Sequence, residues 1–332
     1  MKVFWKIFTI AFLSFVVLIG GVFIGFNTFM KDQHPNAEVP PERVQDDDFE
    51  EIEEKDELIR AFSESNRVNF VMLGLEGMRS DTMMFVSFDP DTKKIDIISV
   101  PRDTYYPRVG YDGLGKKKIN AVYGDHGAAG VKTVVSDVLL DVPVHHYITI
   151  TYKGAASIVN TIGGVPVTIP NPGMYYRDDY DDPPLVINFP PGPRVLKGDD
   201  AVKFLRYRQA TPGSGGLDRN GDLGRIQAQQ EFMQSAMKKA MNLGNLPGLV
   251  SNSFRHVKTD IELQDIMRLA TSAIGLDMQN IQMHTLPGEP KYMEDKLSYF
   301  VNDAKETRQL LLEIYGVQED IAQEDTSQEN NN

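Results

Sequence analysis

The sequence predicts an α/β or α+β fold, a sheet covered by helices. Short apolar runs alternate with stretches of helical spacing between residues 65 and 316. Val68 to Leu73 reads as a buried strand. Two further runs, Thr82 to Phe88 and Ile95 to Val100, flank the turn Asp89-Pro90-Asp91-Thr92-Lys93 and predict a hairpin.

The elements follow in order. Ile7 to Phe26 carries no charge over 20 residues, the length of a membrane-crossing helix. Lys2 and Lys6 precede it and place the N-terminus in the cytoplasm. A cleaved signal peptide would need a shorter apolar core and a small-x-small cleavage site, and Gly25 to Met30 offers none. The sequence thus divides into a cytoplasmic tip (1–6), a transmembrane helix (7–26), an acidic, partly helical stalk (27–64), a folded domain (65–316) and a disordered tail (317–332). Within the domain, Gly127 to Leu140 predicts a helix and His146 to Thr151 a strand. Lys153 to Ile162 predicts a helix stopped by Gly163-Gly164, and Val165 to Ile169 another strand. Residues 170–195 hold nine prolines and glycines and predict a long loop. Asp199 to Leu205 predicts a helix leading into Arg206-Tyr207-Arg208. Leu223, Ile226, Met233, Met237 and Met241 mark an amphipathic helix from Asp222 to Asn242. A strand near Ile281 to Leu286 lies between helices at Asp260 to Ile274 and Asp303 to Tyr315.

Charge and composition narrow the function. The first 26 residues hold two lysines and no acid, so the remainder is net −15. Such a surface disfavours nucleic acid as a partner. There is no cysteine, hence no disulfide and no thiolate metal site. His145 and His146 point to opposite faces of a strand and cannot share a metal from one face. His284 has no evident partner, and structural roles fit all three. The sequence has no Gly-x-Ser-x-Gly elbow and no Walker loop.

Against this acidic background four arginines fall close together: Arg206, Arg208, Arg219 and Arg225. Upstream stand Arg79-Ser80-Asp81-Thr82 and Pro101-Arg102-Asp103-Thr104. A guanidinium fork suits phosphate, and a carboxylate beside it could hold a divalent cation on the same anion. Counting outward from the hairpin turn pairs Asp81 with Arg102, to within one residue. Glu76, Arg79, Asp81, Arg102 and Asp103 should therefore gather at one end of the sheet. Arg225 and Gln229 share a helix face near a helix N-terminus. Each piece alone has an ordinary reading: a surface ion pair for Arg79 and Asp81, a turn cap for Asp103. Their combination points toward pyrophosphate chemistry.

These residues resemble the LytR–CpsA–Psr (LCP) family. The matching pieces are Leu73-Gly74, Arg79-Ser80-Asp81-Thr82, Pro101-Arg102-Asp103-Thr104 and Lys118-Ile119-Asn120-Ala121-Val122-Tyr123. Gly163-Gly164-Val165, Leu196-Lys197-Gly198, Arg206-Tyr207-Arg208 and Asp222-Leu223-Gly224-Arg225 with Gln229-Gln230 follow in the family's order. The resemblance implies an αβα sandwich, a mixed central sheet covered by helices, with a long apolar groove for lipid. It implies a membrane-anchored phosphotransferase that moves a glycopolymer, such as teichoic acid or capsule, from a polyprenyl-pyrophosphate carrier to a peptidoglycan hydroxyl. Arg102, Arg206, Arg208 and Arg225 would grip the pyrophosphate, with Gln229 nearby. Asp81 would bind Mg²⁺ (or Mn²⁺) and help deprotonate the acceptor; Lys118 and Asn120 would orient the loop or touch phosphate. Arg79 and Asp103 complete the implied substrate-binding set.

Two departures stand out. The family places an aspartate just after the first strand, then a longer loop; here Leu75-Glu76-Gly77-Met78 is short, and Glu76 is the candidate second metal ligand. The stretch from Thr211 to Gly221 is long and glycine-rich and would shape substrate entry. The altered loop favours an alternative, a non-catalytic envelope module that binds lipid-linked polymer or peptidoglycan. A pyrophosphatase, with water as acceptor, is a side reading of the enzyme. Transcriptional regulation fits poorly with an acidic, extracytoplasmic domain lacking a helix-turn-helix.

Overall fold

The structure, a computed structural model, describes residues 40–44, 56–180, 184–217, 221–242 and 246–317. The expected transmembrane helix, most of the stalk and the tail beyond 317 lie outside them. Among the described residues no helix is long and apolar enough to cross a membrane.

The chain runs α1 (Asp56–Glu64), β1 (Val68–Glu76), β2 (Arg79–Asp89), β3 (Lys94–Val100), α2 (Val122–Val138), β4 (His146–Thr151) and α3 (Tyr152–Thr161). Then follow β5 (Val165–Ile169), β6 (Met174–Asp178), β7 (Leu185–Phe189), β8 (Gly192–Leu196), α4 (Gly198–Arg206), α5 (Gly221–Asn242) and α6 (Leu246–Phe254). The last elements are β9 (Val257–Thr259), α7 (Leu263–Ser272), β10 (Ile281–Thr285), β11 (Gly288–Tyr292), β12 (Ser298–Asn302) and α8 (Ala304–Tyr315). Six strands form one mixed sheet in the order β10-β3-β2-β1-β4-β9. β1 is parallel to β4 and antiparallel to β2, which places β1 near the centre.

Strand alternation divides the apolar residues between two faces. Val71, Leu73, Phe85 and Ile98 meet Leu58 and Phe62 of α1, Val131 and Val135 of α2, and Leu311 of α8. Met72, Met84, Val86 and Ile97 face the other way, against Met233 and Met237 of α5 and Leu269 of α7. Helices therefore cover both faces, as in an αβα sandwich. That is why the central strands are near-continuous apolar runs.

Three sequence expectations need correction. Residues 56–64, assigned to the stalk for their acidity, form α1, whose Leu58 and Phe62 enter the core. Residues 42–44 also attach to the domain, with Val44 N donating to Pro107 O and Val109 N to Glu42 O. The helix expected from Gly127 begins at Val122 and breaks at Gly127, whose φ of 67° only glycine adopts readily. The loop expected over 170–195 contains three strands. β6 pairs with β7 and β8 with β5, in two separate ribbons. Each strand of a two-stranded ribbon has a free edge, so the prolines break no ladder. The ribbons enclose a second core, in which Met174, Leu185, Ile187 and Phe189 pack with Phe204, Tyr207 and Phe232.

Candidate active site

Between the sheet and this second core lies a cavity of about 390 Å³. Apolar side chains make up much of its lining: Met72, Met84, Ile150, Leu185, Val202, Leu205 and Met233. The same lining holds the charged and polar groups Glu76, Asp81, Arg102, Arg206, Arg208, Arg225 and Gln229.

The hairpin brings the first members together. Its ladder pairs Phe88 with Ile95 and Met83 with Val100, a register that sets Asp81 opposite Arg102. Arg102 Nη1 lies 2.6 Å from Asp81 Oδ1. On its other side β2 pairs with β1 through a bulge. Gly74 opposes Thr82 but Leu75 opposes Ser80, leaving Asp81 as the extra residue. A bulge re-aims its side chain, here toward the cavity. Gly74 permits it, because a Cβ there would stand 3.0 Å from Thr82 Cβ. The tight turn after Glu76 lies against the first turn of α2. A Cβ at Gly124 would stand 2.8 Å from the Met78 carbonyl oxygen.

The arginines arrive from two further segments. α4 ends at Arg206, and Tyr207 takes an extended conformation. Tyr207 is fully buried in the second core, its hydroxyl donating to Leu217 O at 2.5 Å. Extended backbone alternates its side chains, so Arg206 and Arg208 both reach the cavity. On α5, Arg225, Gln229 and Met233 follow at four-residue spacing and line one face. Arg225 Nη2 donates to Asp81 O at 3.2 Å. Gln229 Nε2 donates to Thr82 Oγ1 at 3.1 Å and to Leu205 O at 3.3 Å. Arg206 Nη2 pairs with Glu76 Oε1 at 2.6 Å. Among the described residues Arg208 has no hydrogen-bond or ion-pair partner.

The two carboxyls differ in acidity. Burial raises Glu76 above the usual range, and its hydrogen bond with Asp81 adds to this, against the Arg206 charge. Burial acts on Asp81 in the same direction. It is outweighed by hydrogen bonds with Glu76 and Arg102 and by the charges of Arg102 and Arg225, so Asp81 lies low. Of the two carboxyls, Glu76 is therefore the more readily protonated.

Four expected residues do not line the cavity. Arg79 is exposed beside the turn. Lys118 Nζ pairs with Asp103 Oδ1 at 3.1 Å, and Asp103 stands 4.0 Å from Arg102 Nε. Asn120 is buried, its backbone N–H donating to Arg102 O at 3.2 Å. Asp103 and Asn120 thus contact Arg102, and Lys118 contacts Asp103. The described part of the glycine-rich stretch is pinned to β6 and the residue before it: Thr211 N donates to Tyr175 O and Leu217 N to Gly173 O. Asp222 and residues 218–220 lie outside what the structure describes for side chains. The histidines have local partners: His145 accepts from Asn69 N, and His284 faces Asp96. Sequence reasoning missed Tyr152, Tyr176 and Asp178, which all line the cavity. For Tyr152 the parallel register of β1 and β4 was the available signal.

A greasy chamber with clustered guanidiniums in its wall suits a ligand that joins a long apolar chain to a phosphate-rich head. Comparisons agree with this architecture. Residues 37–314 match the LytR_cpsA_psr family. A relative from Bacillus cereus (strain AH820), "Polyisoprenyl-teichoic acid--peptidoglycan teichoic acid transferase TagU", is 29% identical over 87% of this chain and 90% of its own length. The crystal structure of B. subtilis TagV shares the fold, with a TM-score of 0.60 and 23% identity over 77% of this chain and 99% of that one. A structure described as TagT bound to LI-WTA also has a TM-score of 0.60, at 20% identity over 86% of this chain and 99% of that one. With the family matched across most of its length, this chain belongs to the LytR_cpsA_psr family.

Proposed function

We propose that the protein is a membrane-anchored, single-pass phosphotransferase of the cell envelope, its N-terminus cytoplasmic and its domain outside. It moves a glycopolymer from a polyprenyl-pyrophosphate carrier to a peptidoglycan hydroxyl. The carrying observation is the convergence of Arg102, Arg206, Arg208 and Arg225 beside an apolar cavity. Family membership and the printed name of the Bacillus cereus relative support teichoic acid or a similar polymer as cargo.

In this reading the acceptor oxygen attacks the phosphorus that carries the glycopolymer. The bond from that phosphorus to the bridging oxygen breaks, and polyprenyl phosphate leaves with the electron pair. The arginines neutralise charge on both phosphates as that bond loosens. Asp81, held ionised by Arg102 and Arg225, accepts the hydroxyl proton. Water in place of the sugar hydroxyl would give pyrophosphatase activity.

Mg²⁺ (or Mn²⁺) suits this donor set. Asp81 and Glu76 both line the cavity and, ionised, would each offer carboxylate oxygen to a cation. Among the described residues no group of three acids or histidines gathers to hold a metal. Diphosphate oxygens and water would therefore fill the remaining positions. A bound ion would supply further charge neutralisation at the phosphates.

The Glu76–Arg206 ion pair favours a second reading, a module that binds lipid-linked polymer without transfer. One experiment separates the two. The full-length protein is incubated with polyprenyl-pyrophosphate glycan and peptidoglycan oligomers, with and without Mg²⁺, and products are analysed by mass spectrometry. A phosphodiester-linked product that Asp81→Ala abolishes while ligand binding persists is the expected result. Binding without product in the wild type would sink the enzymatic reading.

A further inference from the structure

Tyr152 occupies a place in the site that no sequence motif marks. It is the first residue of α3, directly after β4. β4 runs parallel to β1, with Phe70 opposite His146 and Leu75 opposite Thr151. One further step along both strands sets Tyr152 beside Glu76. The Arg206 guanidinium carbon lies 4.8 Å from the Tyr152 ring centroid, within cation–π range. The hydroxyl lies near Glu76, and Glu76 holds Arg206 Nη2 at 2.6 Å. Arg206 is thus held on one side by the Tyr152 ring and on another by the Glu76 carboxylate, from α3 and β1 respectively.

We propose that Tyr152 is a positioning residue of the diphosphate site: its ring face fixes the Arg206 guanidinium toward the cavity. The inference rests on the reading of the site as a diphosphate receptor. An arginine side chain has many rotamers, and ordering it on binding lowers affinity. A stacked aromatic removes most of that penalty in advance. Arg208, with no such support among the described residues, must be ordered by the ligand itself.

Calorimetric titration of the full-length protein with inorganic pyrophosphate, at fixed Mg²⁺, tests this. Tyr152→Leu should weaken binding about tenfold. Tyr152→Phe keeps the ring and should stay within roughly threefold of wild type. In an Arg206→Gln background the cation is gone, and Tyr152→Leu should cost no further affinity. Tyr152→Leu binding like wild type would overturn the proposal. So would an equal loss in both backgrounds, which marks general disturbance rather than a hold on Arg206. A wild-type protein that takes up no pyrophosphate would remove the receptor reading itself, and this inference with it.

Discussion

Replacing Arg208 with alanine should separate ligand binding from folding. The side chain is half-buried in the cavity wall. No described residue hydrogen-bonds or ion-pairs with it, so truncation deletes no internal polar contact. It also relieves repulsion from the three other arginines of the wall. Stability should then change by no more than about 0.5 kcal/mol, or roughly 2 °C in the unfolding midpoint. Binding is a different matter. A hydrogen bond to a charged group contributes about 1.5–3 kcal/mol, so pyrophosphate affinity should fall roughly 10- to 150-fold. Arg225→Ala provides the contrast. Arg225 is buried and donates to Asp81 O at 3.2 Å, so its loss should cost about 1–3 kcal/mol of stability as well as affinity. Thermal unfolding by circular dichroism, paired with pyrophosphate calorimetry, reads both quantities. If Arg208→Ala lowers the midpoint as far as Arg225→Ala, or leaves affinity unchanged, Arg208 is not an anion receptor.

Further outcomes concern the core, the metal and pH. Arg67 and Asp96 form a buried pair at 2.8 Å near the start of β1, away from the site. Arg67→Met should cost about 3–5 kcal/mol in urea unfolding, with pyrophosphate affinity unchanged, because it strands the Asp96 charge. Asp81→Asn should abolish any Mg²⁺-dependent rise in the unfolding midpoint seen with pyrophosphate present; a rise equal to wild type would place the cation elsewhere. Asp125 lies below the ordinary carboxylate value of 3.8, since hydrogen bonds from Lys116 and Arg108 outweigh its burial. A depressed carboxylate stabilises above its unfolded pKa and loses that contribution as pH falls through the folded value. The stability gap between wild type and Asp125→Asn should therefore be full at neutral pH and close below 3.8. A gap that widens in acid would show that the pairing with Arg108 and Lys116 is not what lowers Asp125.

Much of the fold was readable because its signals are local. The hairpin turn at Asp89 to Lys93 is short, so counting from it gave the register that joins Arg102 to Asp81. The spacing of Ile226, Met233 and Met237 gave the helix that also presents Arg225 and Gln229. The ribbons of 174–196 were missed because prolines and glycines dominate that stretch. Yet Leu185, Ile187 and Phe189 alternate with Val186 and Asn188, a period of two that prolines on free edges do not spoil. Acidity likewise hid α1, whose two core residues are outnumbered by charged neighbours.

By itself the sequence determined which residue types could meet an anion, and that three distant segments supply them. It also determined most strand and helix identities, since hydrophobic period and turn chemistry act within a few residues. Only the tertiary structure decided the bulge that turns Asp81 inward, the placement of Tyr152 under Arg206 and the pairing of Glu76 with that arginine. It also set Arg79, Asp103, Lys118 and Asn120 outside the cavity wall. The reason is physical. Side-chain direction and ion-pair partners depend on which strands lie side by side and in what register, and those contacts join residues dozens of positions apart.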